Sequence, residues 1–380
     1  MNIQIDGVNT QNKGAELMLI SVLEEIENRL PNANIYINPD SKLDLGVLPR
    51  FDLNIRKRQG IKLGRYVNSL FYKLKLNQPI TYFKEDYSSN KIDVILDASG
   101  FKYSDQWNRT NEWLDSKERY YARAKKNKTK IFFLTQAFGP FNTKEGKRSA
   151  DLLGKHCDLI FAREEKSYQY LISSGIDPNK VKQSCDFTLK VNGEITSKYD
   201  HLTGGIAIIP NKKMITHGGN KSNNYLDLFI KLISSFREKG EKVFLLNHEG
   251  KGDHLICELI NSKLEKQLEI VSNCGAKEIK GIIGNSKITI SSRFHGVASS
   301  LSQGVPCLAT SWNHKYEMLF KLFDQKDCVI DADDDFEVNR NKLEKIYEDY
   351  DLRRKKLKNI KPEIITQINK MWNTILQNLY

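Results

Sequence analysis

The sequence predicts an α/β protein built from two Rossmann-like domains, and three observations support this fold class. Short apolar runs rich in β-branched residues alternate along the chain with longer segments whose apolar residues have helical spacing. Many of the short runs end in polar or charged residues, as strands of an open parallel sheet do where ligands bind. The chain's 380 residues also exceed what one hydrophobic core usually holds. We therefore expect domains at residues 1–195 and 196–380 that face each other across a cleft.

The N-terminal domain is predicted to begin with a strand at residues 2–6, followed by a polar loop and an apolar helix. Asn9 and Asn12, together with backbone N–H groups near Gly14, are suited to hold a phosphate at the helix N-terminus. The alternative is that the two asparagines shape the turn and cap the helix. Because the loop has neither the G-x-G-x-x-G pattern nor a Walker lysine, dinucleotide-binding and P-loop sites are disfavoured.

Polar side chains stand at the ends of successive predicted strands in this domain. In chain order they are Asp97, Gln136, Arg163 and Asp186. Such a series is expected where a crevice is lined from several strands. Asp97 is suited to orient sugar hydroxyls or to act as a base, and Trp107 is suited to stack on a sugar ring. The alternatives are that Asp97 caps a turn and that Trp107 belongs to the core.

Two segments interrupt the regular pattern. Residues 40–90 are irregular and carry many basic and aromatic residues, so we predict an insertion or a loop region that faces the substrate. Residues 190–203 are polar with few apolar runs, and we place the domain boundary there. A second series of strands and helices follows. Residues 337–380 alternate charged and apolar positions at helical spacing, which predicts terminal helices that pack back across both domains.

The sharpest chemical signal lies in the second domain, where Arg293 and His295 follow an apolar strand and open a helix. Arg293 can donate paired hydrogen bonds to a carboxylate or phosphate, and His295 can give or accept a proton near neutral pH. The alternative is that Arg293 forms a salt bridge and His295 caps the helix. His248 and His314 are further candidates for contact with a ligand, although a lone loop histidine more often has no such role.

The chain is strongly basic, with a formal net charge of +12 and a pI near 9.2. This charge favours an anionic partner, such as a phosphorylated small molecule, an anionic membrane surface or a nucleic acid. The basic clusters at residues 125–130 and 353–358 are predicted to be solvated surface, with docking to anionic lipid as the alternative. RNP-type and zinc-finger contexts are missing, so no nucleic-acid partner is predicted.

Cysteine usage and hydropathy indicate the compartment. The six cysteines are scattered without a C-x-x-C pair, so neither a disulfide framework nor a zinc site is predicted. The N-terminus enters a strand directly, and no window approaches the apolar length of a signal peptide or a membrane span. We therefore expect a reduced, cytoplasmic setting, with peripheral contact at the inner face of the membrane as an option.

Short motifs follow one another in a fixed order along nearly the whole chain. They are Asn9-x-x-Asn12-x-Gly14-Ala-Glu16, Gln136-x-x-Gly139-Pro140-Phe141, Arg163-Glu-Glu-x-Ser167, Ser292-Arg293-Phe294-His295-Gly296, Gly304-x-Pro306 and Trp312-x-x-Lys315-Tyr316. Each motif alone is short, but their joint order is specific. In this combination the sequence resembles the polysaccharide pyruvyl transferase family.

The resemblance implies a fold like that of the two-domain GT-B glycosyltransferases. It also implies transfer of a pyruvyl group from phosphoenolpyruvate onto two hydroxyls of a sugar, which forms a ketal and releases phosphate. The family's arginines and histidine map onto Arg163, Arg293 and His295. Two arginines suit the phosphate and carboxylate of the donor, and His295 would protonate its methylene carbon. Asp97 would act as a base or sugar anchor, and the reaction requires no metal or other cofactor.

The remaining candidates divide between donor and acceptor. Besides the arginines, the residues expected at the donor are Asn12, Gly14, His248, His314 and Lys315. The residues expected at the acceptor are Asn9, Asp97, Asp105, Trp107 and Gln136. Many family members carry a glycine run where this chain has Asp97-Ala-Ser-Gly100, which leaves the acceptor contacts less defined than the donor contacts. The expected acceptor is a saccharide, either polymeric or linked to a lipid.

Two other functions compete with this interpretation. A GT-B-type glycosyltransferase that uses a nucleotide-sugar would also need a basic cleft, because fold does not fix function. Binding of phosphoenolpyruvate rather than UDP or GDP would separate these two enzymes. A non-catalytic protein that binds saccharide or nucleic acid is the other alternative.

Overall fold

The computed structural model describes residues 1–38, 41, 43, 51, 53–56, 83–86, 91–216, 222–310 and 314–379. In the first sheet the strands are β1 (Asn2–Asp6), β2 (Asn34–Ile37), β3 (Leu53–Arg56), β4 (Phe83–Asp86), β5 (Val94–Asp97), β6 (Phe101–Tyr103), β7 (Lys130–Phe138), β8 (Leu159–Ala162) and β9 (Val181–Gln183). In the second sheet they are β10 (Ile206–Ile209), β11 (Val243–Leu246), β12 (Ile270–Val271), β13 (Ile288–Ser291), β14 (Cys307–Thr310) and β15 (Val329–Ile330).

Helices connect the strands. They are α1 (Lys13–Arg29), α2 (Asn111–Lys126), α3 (Lys144–His156), α4 (Glu165–Ser173), α5 (Lys212–Thr216), α6 (Ser222–Glu238), α7 (Gly250–Ser262), α8 (Ala276–Gly284), α9 (Phe294–Ser302), α10 (His314–Leu322), α11 (Phe336–Glu348) and α12 (Tyr350–Gln377). Short 3₁₀ turns at Asp105–Trp107 and Phe187–Lys190 follow β6 and β9.

Both sheets have the strand order of a Rossmann-like fold. The first runs β4-β3-β2-β1-β5-β7-β8-β9, with β6 paired to β7, and the second runs β12-β11-β10-β13-β14-β15. The pairings around the centre of each sheet are parallel, for example β1 with β5 and β10 with β13. The order reverses between β1 and β5 and again between β10 and β13. Open α/β sheets bind ligands outside the carboxyl ends of strands at such switch points.

The central strands are apolar because helices cover both faces of each sheet. All residues of β5 and β13 are buried, including the small polar residues Thr289 and Ser291 of β13. Helices α2 and α3 begin where the hydroxyls of Thr110 and Thr143 accept hydrogen bonds from the N–H groups of Trp113 (3.3 Å) and Gly146 (3.0 Å). Local sequence therefore fixes where these helices start at the carboxyl edge of the first sheet.

The chain divides into two compact units. Unit 1 comprises residues 1–10, 18–183 and 372–380, and unit 2 comprises residues 11–17 and 184–371. The division after residue 183 comes earlier than the boundary predicted at 195. Residues beyond it belong to unit 2 because Lys280 donates to the carbonyl of Thr188 (2.8 Å) and Glu194 donates its N–H to Lys277 (2.9 Å). Unit 2 also contains residues 11–17, which form the loop before α1 and the first turn of that helix.

The prediction of irregular structure across residues 40–90 is wrong in part. Two described segments there, β3 and β4, are strands that extend the first sheet on one side. Each has four residues, and both include charged residues, so neither shows the apolar run on which the other assignments rest. The substrate-facing role predicted for this segment falls largely on residues outside those that the structure describes.

The basic cluster at residues 353–358 lies on α12 and is only partly solvated as predicted. Lys355, Lys356 and Lys358 are exposed. Arg353 is buried and donates to Gln325 (2.7 Å) and Asp327 (2.6 Å). Its guanidinium therefore joins α12 to the turn before β15 within unit 2 and is not part of a docking face. No helix in the described ranges is both long and apolar enough to cross a membrane.

Candidate functional site

The turn between β13 and α9 is held rigidly at the switch point of the second sheet. The N–H of Ser292 donates to Ile209 (2.9 Å), and its carbonyl accepts from Asn211 (2.9 Å) and Tyr316 (2.8 Å). Its hydroxyl accepts from Tyr225 (2.7 Å) and a second buried hydroxyl. Because the residue is tied to four surrounding elements, the side chains that follow it leave the strand in fixed directions.

Arg293 is nearly buried and forms the salt bridge that the sequence left open as its alternative role. Its Nε and Nη2 donate to the two carboxylate oxygens of Asp253 at 2.7 Å and 2.5 Å, and its Nη1 contacts Glu249. Burial raises the pKa of Asp253 to about 7, although the N–H of Lys212 and the charges of Lys213 and Lys212 act to lower it. The guanidinium is thus oriented by one enclosed carboxylate and one that is partly exposed.

His295 is the second residue of α9, and its imidazole lies between two backbone-anchored neighbours. Nε2 is 3.7 Å from a carboxylate oxygen of Asp186, which is 1% exposed, whereas the imidazole is 16% exposed. On its other side, a Cβ added to Gly14 would lie 2.7 Å from Cγ and 2.8 Å from Cε1, and closer still to Nδ1. Only a glycine at position 14 leaves room for this imidazole.

The N-terminal loop therefore meets the Arg293–His295 turn within unit 2. Asn12 Oδ1 accepts from the N–H groups of Gly14 (2.9 Å) and Ala15 (3.3 Å), and this is the helix cap predicted as the alternative role of Asn12. Glu16 is fully buried and accepts from the N–H of Ala276 (2.7 Å) at the start of α8. These bonds fix Gly14 against His295, so the motif Asn12-x-Gly14-Ala-Glu16 completes the site.

His248, at the end of β11, is the second histidine near this turn. Its side chain is 4% exposed, and Nδ1 has no hydrogen-bond partner among the described residues. Burial, followed by the charges of Arg293, His295 and Lys13, holds its pKa well below the usual value. His248 is therefore a neutral imidazole. We name Lys13, His248, Arg293 and His295 the basic cluster of unit 2.

Asp97 stands at the switch point of the first sheet but is completely buried. Its carboxylate accepts from Lys102 Nζ (2.9 Å), Gln136 Nε2 (3.4 Å), the N–H of Ser99 (3.1 Å) and the Ser99 hydroxyl. These hydrogen bonds and the ammonium group of Lys102 outweigh burial and lower its pKa. Direct contact with a sugar does not fit this enclosure. Asp97 instead positions Ser99 and Gln136.

A second carboxyl group, that of Asp6, is buried beside Asp97. It accepts from Gln4 (2.8 Å), Asn38 (2.8 Å) and the Tyr120 hydroxyl (2.7 Å). Burial and the charge of Asp97 raise the pKa of Asp6, which favours its protonated form. One cation, Lys102, thus balances a pair of buried carboxyl groups at the switch point.

Substitution Lys102→Met is expected to destabilise the protein by about 3–5 kcal/mol, because it leaves Asp97 as a buried charge without its counter-ion. Chemical denaturation of the variant and the parent protein measures this difference. Lys126→Met, at an exposed position at the end of α2, is the matched control and is expected to change little. Equal stability of the two variants would show that Asp97 does not depend on Lys102.

Within unit 1, Gln136 is the residue of the strand-end series that contacts Asp97, and Arg163 contacts Gln136 through the backbone. The carbonyl of Gln136 accepts from the N–H of Arg163 (3.0 Å), and its buried Oε1 has no partner among the described residues. The Arg163 guanidinium lies 4.0 Å from Glu164. Asp186, the fourth residue of the series, belongs to unit 2, so the structure does not gather all four into one unit.

Asp105 lines a pocket of about 360 Å³ in unit 1, where α2 and α3 begin. Its carboxylate accepts from Asn142 N–H (2.6 Å) and the Thr143 hydroxyl (2.6 Å), so it joins the turn after β6 to the start of α3. Trp107 is half-buried and packs edge-on against Phe101, with ring centroids 5.5 Å apart. The face of Trp107 is therefore less open than the predicted stacking platform.

The same pocket contains Arg109, which the sequence analysis did not single out. Its guanidinium lies 4.5 Å from the Trp113 ring centroid and donates to the carbonyl of Lys102 (3.3 Å). Within the described ranges it has no carboxylate partner, and its buried Nε makes no hydrogen bond. The other polar residues of the wall are Ser104, Asp105, Asn108, Thr110, Asn111, Glu112, Thr143, Glu145 and Ser149.

The other predicted residues contribute less to these two sites. Asn9 is half-buried and belongs to unit 1, whereas Asn12 belongs to unit 2. Lys315 Nζ lies 5.4 Å from the ring centroid of Phe294, the residue that precedes His295 in the chain. The side chain of His314 lies outside the described part of the structure, and so does Trp312. Among the described residues, no group of three or more His, Cys, Asp or Glu side chains is arranged to hold a metal ion.

The sequence analysis did not identify the carboxylates that contact the basic cluster of unit 2. Asp253 and Glu249 lie far from Arg293 in the chain, and no local pattern connects them to it. Asp186 appeared only as a strand-end residue. Its one local signal was Asp186-Phe-Thr188, a turn in which the carboxylate accepts from Thr188 N–H (2.9 Å) and hydroxyl (2.6 Å).

Comparison with known proteins places this geometry in context. The family model described as polysaccharide pyruvyl transferase matches residues 12–314. The structure is similar to that of Anabaena Alr3699/HepE in complex with UDP and glucose, with 10% identity, coverage of 100% of this chain and 98% of that chain, and a TM-score of 0.60. It is also similar to UDP-GlcNAc 2-epimerase from Neisseria meningitidis bound to UDP-GlcNAc, with 11% identity, 97% and 100% coverage and a TM-score of 0.55.

A further similar structure is UDP-GlcNAc 2-epimerase from Methanocaldococcus jannaschii, with 12% identity, coverage of 90% of this chain and 92% of that chain, and a TM-score of 0.53. At these identities the likeness is one of fold. The neighbours have the GT-B fold, and the predicted α/β class with two Rossmann-like sheets is confirmed.

Proposed function

The chain belongs to the polysaccharide pyruvyl transferase family, and on that premise we propose that it moves the pyruvyl group of phosphoenolpyruvate onto two hydroxyls of a saccharide. The product is a cyclic ketal, and phosphate is released. The observation that carries the proposal is the imidazole of His295, enclosed by Gly14 and Asp186 two residues after the fixed guanidinium of Arg293. It supports the proposal because an imidazole, which can donate a proton, lies beside a cation at a switch point.

An anionic donor suits the charges of unit 2. Lys13 and Arg293 are cations, and the first turns of α1 and α9 contribute partial positive charge. In the structure Arg293 contacts both Asp253, which is fully buried, and Glu249, whose side chain is 28% exposed. We propose that the carboxylate or phosphate of phosphoenolpyruvate replaces Glu249 on the guanidinium, while Asp253 keeps the guanidinium oriented.

The proposed chemistry needs a proton at one carbon of the donor. Protonated His295 gives its proton to the methylene carbon of phosphoenolpyruvate, which leaves an oxocarbenium-like centre at the adjacent carbon. One acceptor hydroxyl attacks that centre, and a second hydroxyl closes the ketal as the phosphate leaves. The two hydroxyl protons leave with the phosphate and restore His295, so the sum is donor plus diol to ketal plus phosphate.

The pocket of unit 1 is our proposed contact for the acceptor. Its volume of about 360 Å³ is within the range of small-ligand pockets. Three carboxyl groups in its wall, those of Asp105, Glu112 and Glu145, face one cation, Arg109. This balance suits the hydroxyls of an uncharged sugar better than a phosphate. Asn9, Trp107 and Gln136 keep their predicted acceptor roles as proposals, and Asp97 supports them through Gln136.

Arg109→Met is expected to raise the KM for the acceptor about tenfold, since it removes a charged hydrogen-bond donor worth about 1.5–3 kcal/mol. The KM for phosphoenolpyruvate should stay unchanged. Steady-state phosphate release at varied acceptor concentration measures both constants. Arg119→Met, at an exposed position of α2, is the matched control. An unchanged acceptor KM in Arg109→Met, with the fold intact, would remove this pocket from the acceptor site.

The proposal also includes the molecule to which the acceptor sugar is attached. It is either a surface polysaccharide or its lipid-linked precursor, and for a lipid-linked acceptor the exposed lysines of α12 offer a face toward anionic lipid. We place the reaction at the cytoplasmic side, where phosphoenolpyruvate is made. Arg163 in unit 1 and His248, Lys315 and His314 in unit 2 keep their predicted donor roles as proposals.

Thermal unfolding in the presence of candidate donors tests the proposed donor site. Phosphoenolpyruvate at about 100 times its Kd should stabilise the protein by about 2.7 kcal/mol, whereas UDP and GDP should not. Arg293→Met should lose this stabilisation. The competing function is a nucleotide-sugar enzyme, as in the structural neighbours solved with UDP or UDP-GlcNAc. Stabilisation by UDP but not by phosphoenolpyruvate would favour that function.

A further inference from the structure

We infer that Asp186 is the positioning residue that keeps His295 protonated and oriented for proton transfer. The inference deepens the proposed function and rests on it for the role of His295. Its physical part, the coupling of a buried carboxylate to this imidazole, concerns the protein alone. Asp186 is not among the residues that sequence or family resemblance assigned to donor or acceptor.

The location of Asp186 supports the inference. It lies directly before the 3₁₀ turn Phe187–Lys190, which packs against α9, the helix that carries His295. The carboxylate is 1% exposed, and its Oδ2 lies 3.7 Å from Nε2 of His295. Its other oxygen, Oδ1, accepts from the N–H and hydroxyl of Thr188. One oxygen therefore fixes the carboxylate, and the other faces the imidazole.

Electrostatics give this geometry its effect. A carboxylate within about 4–6 Å favours the charged form of an imidazole. The charged or titratable groups on elements around α9 include Lys13 on α1, which pairs with Glu16, and Arg293 before α9, which pairs with Asp253 and Glu249. They also include His248 after β11, Lys280 on α8 and Lys315 on α10. Glu16, Asp253 and Glu249 contact cations of their own, whereas Asp186 lies beside the imidazole, so loss of the Asp186 charge should disfavour the imidazolium.

Orientation follows from the same contacts. The imidazole is confined by Gly14 on the Nδ1 side and by Asp186 on the Nε2 side. At 3.7 Å the Nε2 atom and the carboxylate oxygen are beyond the distance of a direct hydrogen bond, so the carboxylate acts on the imidazole through its charge. Asp186 thus acts on the imidazole by its charge and by enclosing it, and not by the direct carboxylate–imidazole hydrogen bond of a catalytic triad.

The test is a pH titration of the histidine side chains in Asp186→Asn. Asparagine keeps the oxygen that accepts from Thr188, so the fold should survive while the charge is lost. With seven histidines, ¹³Cε1-labelled protein gives a resolvable NMR spectrum, and His295→Gln assigns the signal. The midpoint of His295 should move to lower pH in Asp186→Asn. Asp200→Asn, an exposed residue of unit 2, removes the same charge as a control and should leave it in place.

The pH dependence of turnover then shows whether a failure lies in the inference about Asp186 or in the proposed function. If His295 acts as the acid, activity falls as pH rises through its midpoint, and in Asp186→Asn this descending limb should shift to lower pH. A shifted midpoint without phosphate release from either protein would support the coupling and contradict the proposed function. An unchanged His295 midpoint, in a variant whose unfolding temperature matches the parent, would overturn the inference whatever the activity.

Discussion

His295→Ala is expected to abolish ketal formation, with a loss of about 10²–10⁴-fold in kcat or more, because no other group replaces the positioned acid. Phosphoenolpyruvate should still bind, since Arg293 and Lys13 remain. The measurement is single-turnover phosphate release together with thermal unfolding in the presence of donor. Because hydrogen bonds that join Ser292 to Ile209, Asn211 and Tyr316 hold the turn before α9, the helix should stay folded without the imidazole.

The control for this variant is another histidine of unit 2. His201 is exposed and hydrogen-bonds to the carboxylate of Glu269 (2.9 Å), and His201→Ala should leave turnover unchanged. Near-normal activity of His295→Ala would remove His295 from the acid role. Loss of activity in both variants would point to a general effect on unit 2 and would leave no special role for His295.

Gly14→Ala is expected to lower activity by about 100-fold or more, although alanine is the better helix former. The added methyl group would lie within 3 Å of ring atoms of His295, so either the imidazole or the first turn of α1 must move. Glu16 ties that turn to α8 through Ala276, which makes the imidazole the part that shifts. Steady-state kinetics and the NMR signal of His295 measure the effect.

Gly154→Ala is the matched control for this substitution. Gly154 lies within α3, where the nearest atom to an added Cβ would be a side-chain carbon of Ile176 at 3.5 Å. The change should leave activity intact and raise stability by about 1 kcal/mol. Wild-type kinetics in Gly14→Ala, with the His295 signal unmoved, would contradict the close approach that defines this site.

The sequence predicts well what depends on local patterns. The runs that became β5 and β13 are short and rich in aliphatic and β-branched residues, and Asp97 and Arg293 were correctly predicted to lie at the carboxyl ends of these strands. Strands β3 and β4 were not predicted because each has only four residues, some of them charged, and therefore contains no apolar run. Short edge strands are specified by the neighbour they pair with more than by their own sequence.

Long-range contacts set the limit for the candidate site. Nothing near Gly14 in the chain indicates that an imidazole will pack against it, and nothing near Arg293 indicates that Asp253 will hold its guanidinium. The order of the motifs indicated that these residues work together but not how. Burial also changed the interpretation of Asp97, whose carboxylate is enclosed by Lys102 and Ser99.

Acceptor-dependent release of phosphate from phosphoenolpyruvate is the most direct test of the central claim. The purified protein is incubated with phosphoenolpyruvate and a panel of saccharides, neutral and anionic, and the saccharides are then weighed by mass spectrometry. We expect phosphate release with a neutral acceptor and a gain in its mass equal to pyruvate less water. No release with any acceptor, together with turnover or binding of a nucleotide-sugar, would contradict pyruvyl transfer.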